Sequence, residues 1–405
     1  MDAPTSDKLS KTEFVSLMAI MTSVVALSID GVLPAFPLIK QEFSVSETEI
    51  PMVVSTLFLG LGIGQLVFGP LSDVFGRKKP IYVGLAFFMM GSIISSVATS
   101  LPMLLVGRAL QGFGGASPRI VSVALIRDEY SGNAMAQITS LVMTVFILVP
   151  AIAPSIGQGI LWVADWRWIF YMLVAVSLLV WVWFGVRQHE TLTVEKRKSL
   201  TMQHFIYGTK ETFSHITTVT SMIVTGLVFG VFVGYLGVVQ EIFDKIFQVN
   251  HLFPLMFAIL ALSLGGASYF NSRMVLALGM RKLILTALLS MAIISNLFVV
   301  YLEAVQVGAP PLWLFMAYMM LTFFSVGFLF GNLNALAMEP LGHVAGIGSA
   351  ILGFVQSGIA VVIGTLLGLY MHGSVVPLVM SFGTCSLISL GILILERRFR
   401  KSVSV

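Results

Sequence analysis

Residues 69–79 read Gly69-Pro70-Leu71-Ser72-Asp73-Val74-Phe75-Gly76-Arg77-Lys78-Lys79 and join two apolar runs, 51–71 and 80–98. Three consecutive cations are costly to place in hydrocarbon, so this stretch reads as a turn on one aqueous side, with one membrane-crossing segment entering it and another leaving. A basic loop alone would explain the Arg and Lys but not the ordered Gly, Asp, Gly. Those glycines allow close backbone approach, and Asp73 can sit near a helix end or pair with a basic partner.

Outward from this turn the same pattern repeats. Runs at 14–38, 51–71, 80–98, 102–125, 134–161, 166–186, 216–239, 252–270, 283–302, 312–336, 344–370 and 376–395 are each long enough, at about 1.5 Å rise per residue, to cross a hydrocarbon core of roughly 30 Å as helices. The composition agrees, with 57% hydrophobic and 10% charged residues among 405 and a mean hydropathy of +0.96. So few charges cannot cover a soluble globule of this size, and so much apolar side chain excludes disorder. The ten-residue alternation of a membrane barrel is absent. The first run has a charge in its second half and no small-residue cleavage pattern, so it reads as a span that is retained. The expected fold class is an all-α membrane protein of twelve transmembrane helices.

Lys and Arg set the orientation. The N-terminus (Lys8, Lys11), the even-numbered loops (Arg77, Lys78, Lys79; Arg127; Arg187, Lys196, Arg197, Lys198, Lys210; Arg273, Arg281, Lys282) and the tail (Arg397, Arg398, Arg400, Lys401) hold 18 of the 23 basic residues. The odd-numbered loops hold Lys40, Arg167 and Lys245. Both termini are therefore expected in the cytoplasm, and the basic pI is a topology signal that implies no nucleic-acid partner. The lone Cys385 and the six histidines, scattered in or beside the gaps, imply no disulfide scaffold and no metal site.

The longest gap, 188–215, divides the chain into an N-terminal six-helix half (1–187), a cytoplasmic linker (188–215) and a C-terminal six-helix half (216–405). A weak internal echo suggests duplication: Gly76-Arg77-Lys78-Lys79 after the second span and Gly279-Met280-Arg281-Lys282 after the eighth. Two six-helix halves around a midplane site suit a secondary transporter. No cluster of His, Cys or carboxylates lies within the runs to support an enzyme, and no soluble domain is appended for signalling.

The 69–79 stretch resembles the signature loop of the major facilitator superfamily, with Val74 replacing the usual basic residue. The resemblance implies the major facilitator fold and a conformational latch at Gly69, Asp73, Gly76 and Arg77. Arg108-Ala109-Leu110-Gln111-Gly112-Phe113-Gly114 is similar to an element of proton-coupled drug exporters in that superfamily. Pro150-Ala151-Ile152-Ala153-Pro154-Ser155-Ile156-Gly157-Gln158-Gly159 resembles their antiporter motif, with Ala153 and Gln158 as departures, and implies a bend at Pro150, Pro154 and Gly157 associated with export. Ser28-Ile29-Asp30-Gly31-Val32-Leu33-Pro34-Ala35-Phe36-Pro37 resembles the opening of the Bcr/CflA branch, the bicyclomycin- and chloramphenicol-resistance type of drug:proton antiporter. Ile126-Arg127-Asp128, Trp166-Arg167-Trp168-Ile169-Phe170, Val239-Gln240-Glu241 and 342–350 match that branch in order.

Three charges fall inside the runs: Asp30, Arg108 and Arg119. Intramembrane charges normally face the bundle interior or a wet cavity. Counted along their helices, Asp30 and Arg108 lie at similar height, which suggests Asp30 as the proton carrier and Arg108 as its modulating neighbour, or alternatively a permanent ion pair. Arg119 follows Arg108 by three turns on nearly the same face, roughly 16 Å deeper, where it either lines the cavity or snorkels to headgroups. Gln111, Tyr235, Gln240 and Asn332 are the further cavity candidates. One carboxylate against two arginines favours neutral or weakly acidic cargo over dications.

The expectation is a monomeric, proton-coupled antiporter exporting small amphiphiles or drugs across a bacterial inner membrane. It would use the proton gradient and no cofactor. A metabolite exporter or uptake carrier of the same fold is the alternative.

Overall fold

The computed structural model describes residues 9–197, 202–305, 309–371 and 373–403. Lys8, Lys198, His372 and linker residues 198–201 lie outside the described residues, as do the side chains of Lys196, His204, Arg400 and Lys401. The described residues form helices and connections, with no strand among them.

The first span is a broken helix, α1 (Lys11–Asp30) and α2 (Phe36–Phe43), joined through a short 3-10 turn at Leu33–Ala35. Pro34 is the reason. It has no amide hydrogen to close a helical turn onto the carbonyl of Asp30, and its ring crowds that carbonyl; Pro37 does the same to Leu33. The other five spans of the first half are α3 (Met52–Phe75), α4 (Lys78–Ser96), α5 (Leu101–Glu129), α6 (Gly132–Leu161) and α7 (Arg167–Arg187). A shorter helix, α8 (Met202–Ser214), precedes α9 (Ile216–Glu241), α10 (Phe253–Leu278), α11 (Met280–Val305), α12 (Leu312–Met338), α13 (Ala345–Tyr370) and α14 (Val376–Val403).

Among the described residues, ten stretches are long and apolar enough to cross a membrane on their own. One of them, Leu312–Tyr370, contains both α12 and α13. Arg108 and Arg119 lower the apolarity of α5, which at 29 residues is still ample to cross. Twelve crossing helices result, as the hydropathy pattern requires.

Helix packing repeats across the chain. In the first six spans α5 packs on α3 and α4, α4 on α7, and α1 on α5, α6 and α7. In the last six α12 packs on α10 and α11, α11 on α14, and α9 on α12, α13 and α14. Each pairing in the first set recurs at the same positions in the second. The two sets meet along two seams, α3 against α13 and α6 against α10.

The echoed turns take equivalent places in this repeat. Gly76 and Gly279 both carry positive φ, 89° and 77°, which glycine adopts without steric penalty. Two residues on, Lys78 Nζ donates to the carbonyls of Gln188 (2.6 Å) and Gly185 (3.2 Å) at the end of α7. Its counterpart Arg281 bonds Glu396 near the end of α14 at 2.9 and 3.1 Å. In each half the third span is stapled to the sixth on the face where the chain ends lie, called here the terminal face.

The linker holds one helix that a polar gap did not predict. Gly208 of α8 abuts Ile347 of α13. His215 and His343 both approach Glu211, at 3.1 and 3.5 Å, so α8 is tied to the second half. Glu190, just beyond α7, accepts from the backbone amides of Arg77 (2.8 Å) and Lys78 (3.1 Å) and so caps α4. Replacing Glu190 with Ala should cost about 1–2 kcal/mol, the usual worth of an N-cap, with Glu190→Gln intermediate; thermal unfolding of the purified variants measures it.

Candidate functional site

Asp30 ends α1 at the Pro34 break and is 5% exposed. Among the described residues its carboxylate has no hydrogen bond and no ion pair. Arg108 on α5 lies in the same layer, fully buried, but its guanidinium goes elsewhere. Nη1 donates to the carbonyl of Ser28 (2.8 Å) and to Gln111 Oε1 (2.6 Å), and Nε donates to the carbonyl of Val53 (3.1 Å). Gln111 in turn donates to Ser92 Oγ at 2.7 Å. Arg108 thus brackets α5 to α1, α3 and, through Gln111, α4. Its Nη2 has no partner among the described residues. Asp30 and Arg108 share a height, as counting suggested, without forming an ion pair.

The antiporter-type segment of α6 meets the first span at this level. A Cβ built on Gly157 would stand 2.0 Å from the carbonyl oxygen of Gly31, next to Asp30. Pro150 and Pro154 lie inside α6, which runs on as one helix. The contact is backbone against backbone.

Tyr235 on α9 faces this layer from the second half. It is fully buried, with its ring stacked on Phe257 (18° between planes) and edge-on to Phe323 at 5.0 Å. Its hydroxyl has no partner among the described residues. Phe229, Phe232 and Tyr235 recur every three residues and form one aromatic ladder. Phe229 meets Phe58 of α3 at 5.2 Å and Phe330 of α12 at 5.6 Å, so rings line the junction of the halves. No phenylalanine stood out in the sequence, although this spacing on one helix face was the available signal.

The remaining candidates separate. Arg119 is exposed, with no hydrogen bond or ion pair among the described residues. It stands four residues after Gly115, which faces Val25 of α1, and seven after Gly112, which abuts Leu57 of α3. Its exposure therefore opens to the interior between α1 and α3. Asn332 donates to Asn271 of α10 at 2.6 Å and is a helix bracket. Asn334 and Gln356 join α12 to α13 at 3.1 Å.

Gln240 donates to Asn250 at 2.8 Å and lines a cavity of about 310 Å³ at the face opposite the chain ends, with Phe36, Lys40 and Glu241. On that face Glu47 of the first half pairs with Lys245 of the second, and Pro51 rests on Gly237.

The latch residues form one cluster. Arg77, 2% exposed, bonds Asp73 (2.7 Å), Asp128 (2.7 Å) and Ser72 (3.1 Å). Burial alone would lower its pKa, but the bonds to Asp128 and Asp73 hold it above its usual value. The second oxygen of Asp73 lies beside Gly346, 3.0 Å from where a Cβ would sit, at the positive end of α13. Asp128 and Glu190 complete the cluster; neither was singled out as a site from the sequence. Gly69 faces Ala350 across the same seam. Trp166 and Arg167, both bonded to Glu42 (2.7 and 2.5 Å), tie the start of α7 to α2.

Gly157→Ala would force α1 and α6 apart. The expected effect is about 1–3 kcal/mol of destabilisation with loss of transport, read by thermal unfolding and by flux in reconstituted vesicles.

Comparison with known proteins agrees with this architecture. The family model described as Major Facilitator Superfamily matches residues 18–365. The uncharacterized MFS-type transporter YdgK of Bacillus subtilis is 27% identical over 87% of this chain and 88% of its own. The bicyclomycin resistance protein homolog of Haemophilus influenzae is 26% identical over 93% of this chain and 94% of its own. The fold of the xylose transporter XylE from E. coli, in a partially occluded inward-open conformation, superposes with a TM-score of 0.73 at 12% identity, covering 94% of this chain and 96% of that one. With twelve crossing helices in two repeated sets of six and a family match across most of its length, the chain belongs to the major facilitator superfamily, as a multi-pass membrane transporter of small molecules and not an enzyme.

Proposed function

We propose that this transporter is a proton-coupled antiporter that exports small neutral or weakly acidic amphiphiles by alternating access. It would work as a monomer in a bacterial inner membrane, with the proton gradient as its energy source and no resident cofactor. The observation that carries the reading is Asp30, a buried carboxylate that no cation or donor among the described residues satisfies. An unpaired charge in such surroundings is expensive, so the group favours taking up a proton from whichever side admits water. One proton bound from outside and released inside would then accompany cargo moving outward.

Several features support the rest of the reading. The basic residues gathered on the terminal face support a cytoplasmic location for both chain ends. Two arginines against one carboxylate leave an interior that repels dications and admits neutral or acidic molecules. The kinship to a bicyclomycin resistance protein homolog supports drug-like cargo.

Asp30→Asn should abolish transport driven by an imposed pH gradient in proteoliposomes while leaving the protein folded; substantial gradient-driven flux in that variant would overturn the reading. Arg119→Gln should weaken uptake of a weakly acidic amphiphile by about tenfold relative to a neutral one, measured as paired fluxes in the same vesicles.

A further inference from the structure

Two unsatisfied polar groups in the central layer belong to different halves of the molecule. Asp30, on the first span, is 5% exposed and has no partner among the described residues. Tyr235, on the seventh span, is fully buried and its hydroxyl is likewise unpartnered. The elements that carry them touch: the 3-10 turn that follows Asp30 packs on α9, and Pro51 rests on Gly237, two residues beyond Tyr235. Buried polar groups nearly always find a partner, and those that do not are places where a changing role or a bound species should be sought. The chemistry is complementary, since an ionised carboxylate only accepts and a phenol has one proton to donate.

We propose that Tyr235 is the positioning residue of the proton site: its hydroxyl donates to Asp30 when that carboxylate is ionised and releases it when the carboxylate is protonated. The inference rests on the reading of Asp30 as the proton carrier. No proton passes to or from Tyr235. Asp30 gives its proton to water on the terminal side, and the resulting carboxylate accepts from the tyrosine hydroxyl, joining the two halves near the opposite face. Cargo entering from the terminal side displaces the bond and lets the opposite face open; water there returns a proton to Asp30, and with the strong acceptor gone the protonated carrier goes back without re-forming the bond. The bond holds the ionised, cargo-free carrier closed, and so it suppresses an empty return that would dissipate the gradient.

The surroundings leave few competing titratable groups. On the helices packed against Asp30, α5 supplies Arg108, α6 supplies none among its described side chains, and Arg167 of α7 is bonded to Glu42 at the rim. On those packed against Tyr235, α12 supplies Tyr318, whose hydroxyl is within 3.0 Å of Ser295, and α14 supplies Cys385. Asp73 of α3 and Tyr370 of α13 lie at the ends of their helices.

The test needs no knowledge of the cargo. Infrared titration of the purified full-length protein reads the carboxyl stretch that disappears in Asp30→Asn. In Tyr235→Phe, which keeps the ring contacts with Phe257 and Phe323, the midpoint of that band should move to higher pH by about half to one unit, the worth of one lost hydrogen bond. Tyr318→Phe, as a control, should leave it unchanged. An unchanged midpoint in folded Tyr235→Phe overturns this inference alone. A wild-type protein with no titrating band that Asp30→Asn removes overturns the proton-carrier reading itself. Should Tyr235→Phe not fold, the tyrosine C–O stretch of the wild-type protein reads the same bond: a shift that follows the Asp30 titration and is missing in Asp30→Asn supports it, and a band indifferent to that titration overturns it.

Discussion

The missing amide of Pro34 leaves the carbonyl of Asp30 without its helical partner, and the first span has to open there. In a membrane every freed backbone group must find a donor or acceptor inside the protein. Arg108 donates to the carbonyl of Ser28 in the last turn of α1 and to that of Val53 on α3. Nε and Nη1 of the guanidinium are directed at these carbonyls and at Gln111, and none of its nitrogens bonds the Asp30 carboxylate. Gly31 lies against α6, and the following turn lies against α9, only because the chain leaves the helical path at this point. The site is a consequence of a local backbone defect placed at the junction of four helices.

The repeat and the latch differ in how far they are shared between halves. Lys78 and Arg281 occupy the same step after their glycines and staple equivalent pairs of helices. Arg77, by contrast, has Met280 as its counterpart, and Asp73 corresponds to Leu276, which is 90% exposed. The charged cluster that joins Asp73, Arg77 and Asp128 therefore exists in one half only. It reaches across the α3/α13 seam to the positive end of a helix in the other half. A duplicated scaffold has acquired a one-sided fastening.

Apolar run length made the twelve crossings and their grouping legible, because few other arrangements of such runs satisfy a bilayer. The helix in the linker was not legible: α8 has 13 residues, too few for a clear period amid polar neighbours. The depth of Asp30 and Arg108 could be counted, but their pairing could not. That depended on which backbone carbonyls the Arg108 side chain would reach. Gln111 and Asn332 were visible as polar residues inside spans, and the direction each takes was not. On helices apolar all round, periodicity does not separate a cavity face from a neighbour face. Glu190 escaped notice because it acts from outside every motif, on the backbone of a helix more than a hundred residues earlier.

The crossing of Gly31 and Gly157 has no side chains in it. Where two helices meet through rotamers, a change of tilt has to reset every interlocked group, and the motion is stepwise. Where they meet through bare backbone, the surfaces are smooth on the scale of an atom, and one helix can turn on the other as a shaft turns in a bearing. Such a bearing beside Asp30 lets the span that carries the charge change its inclination against α6. A side chain added at Gly157 would meet the carbonyl of Gly31 and jam that bearing.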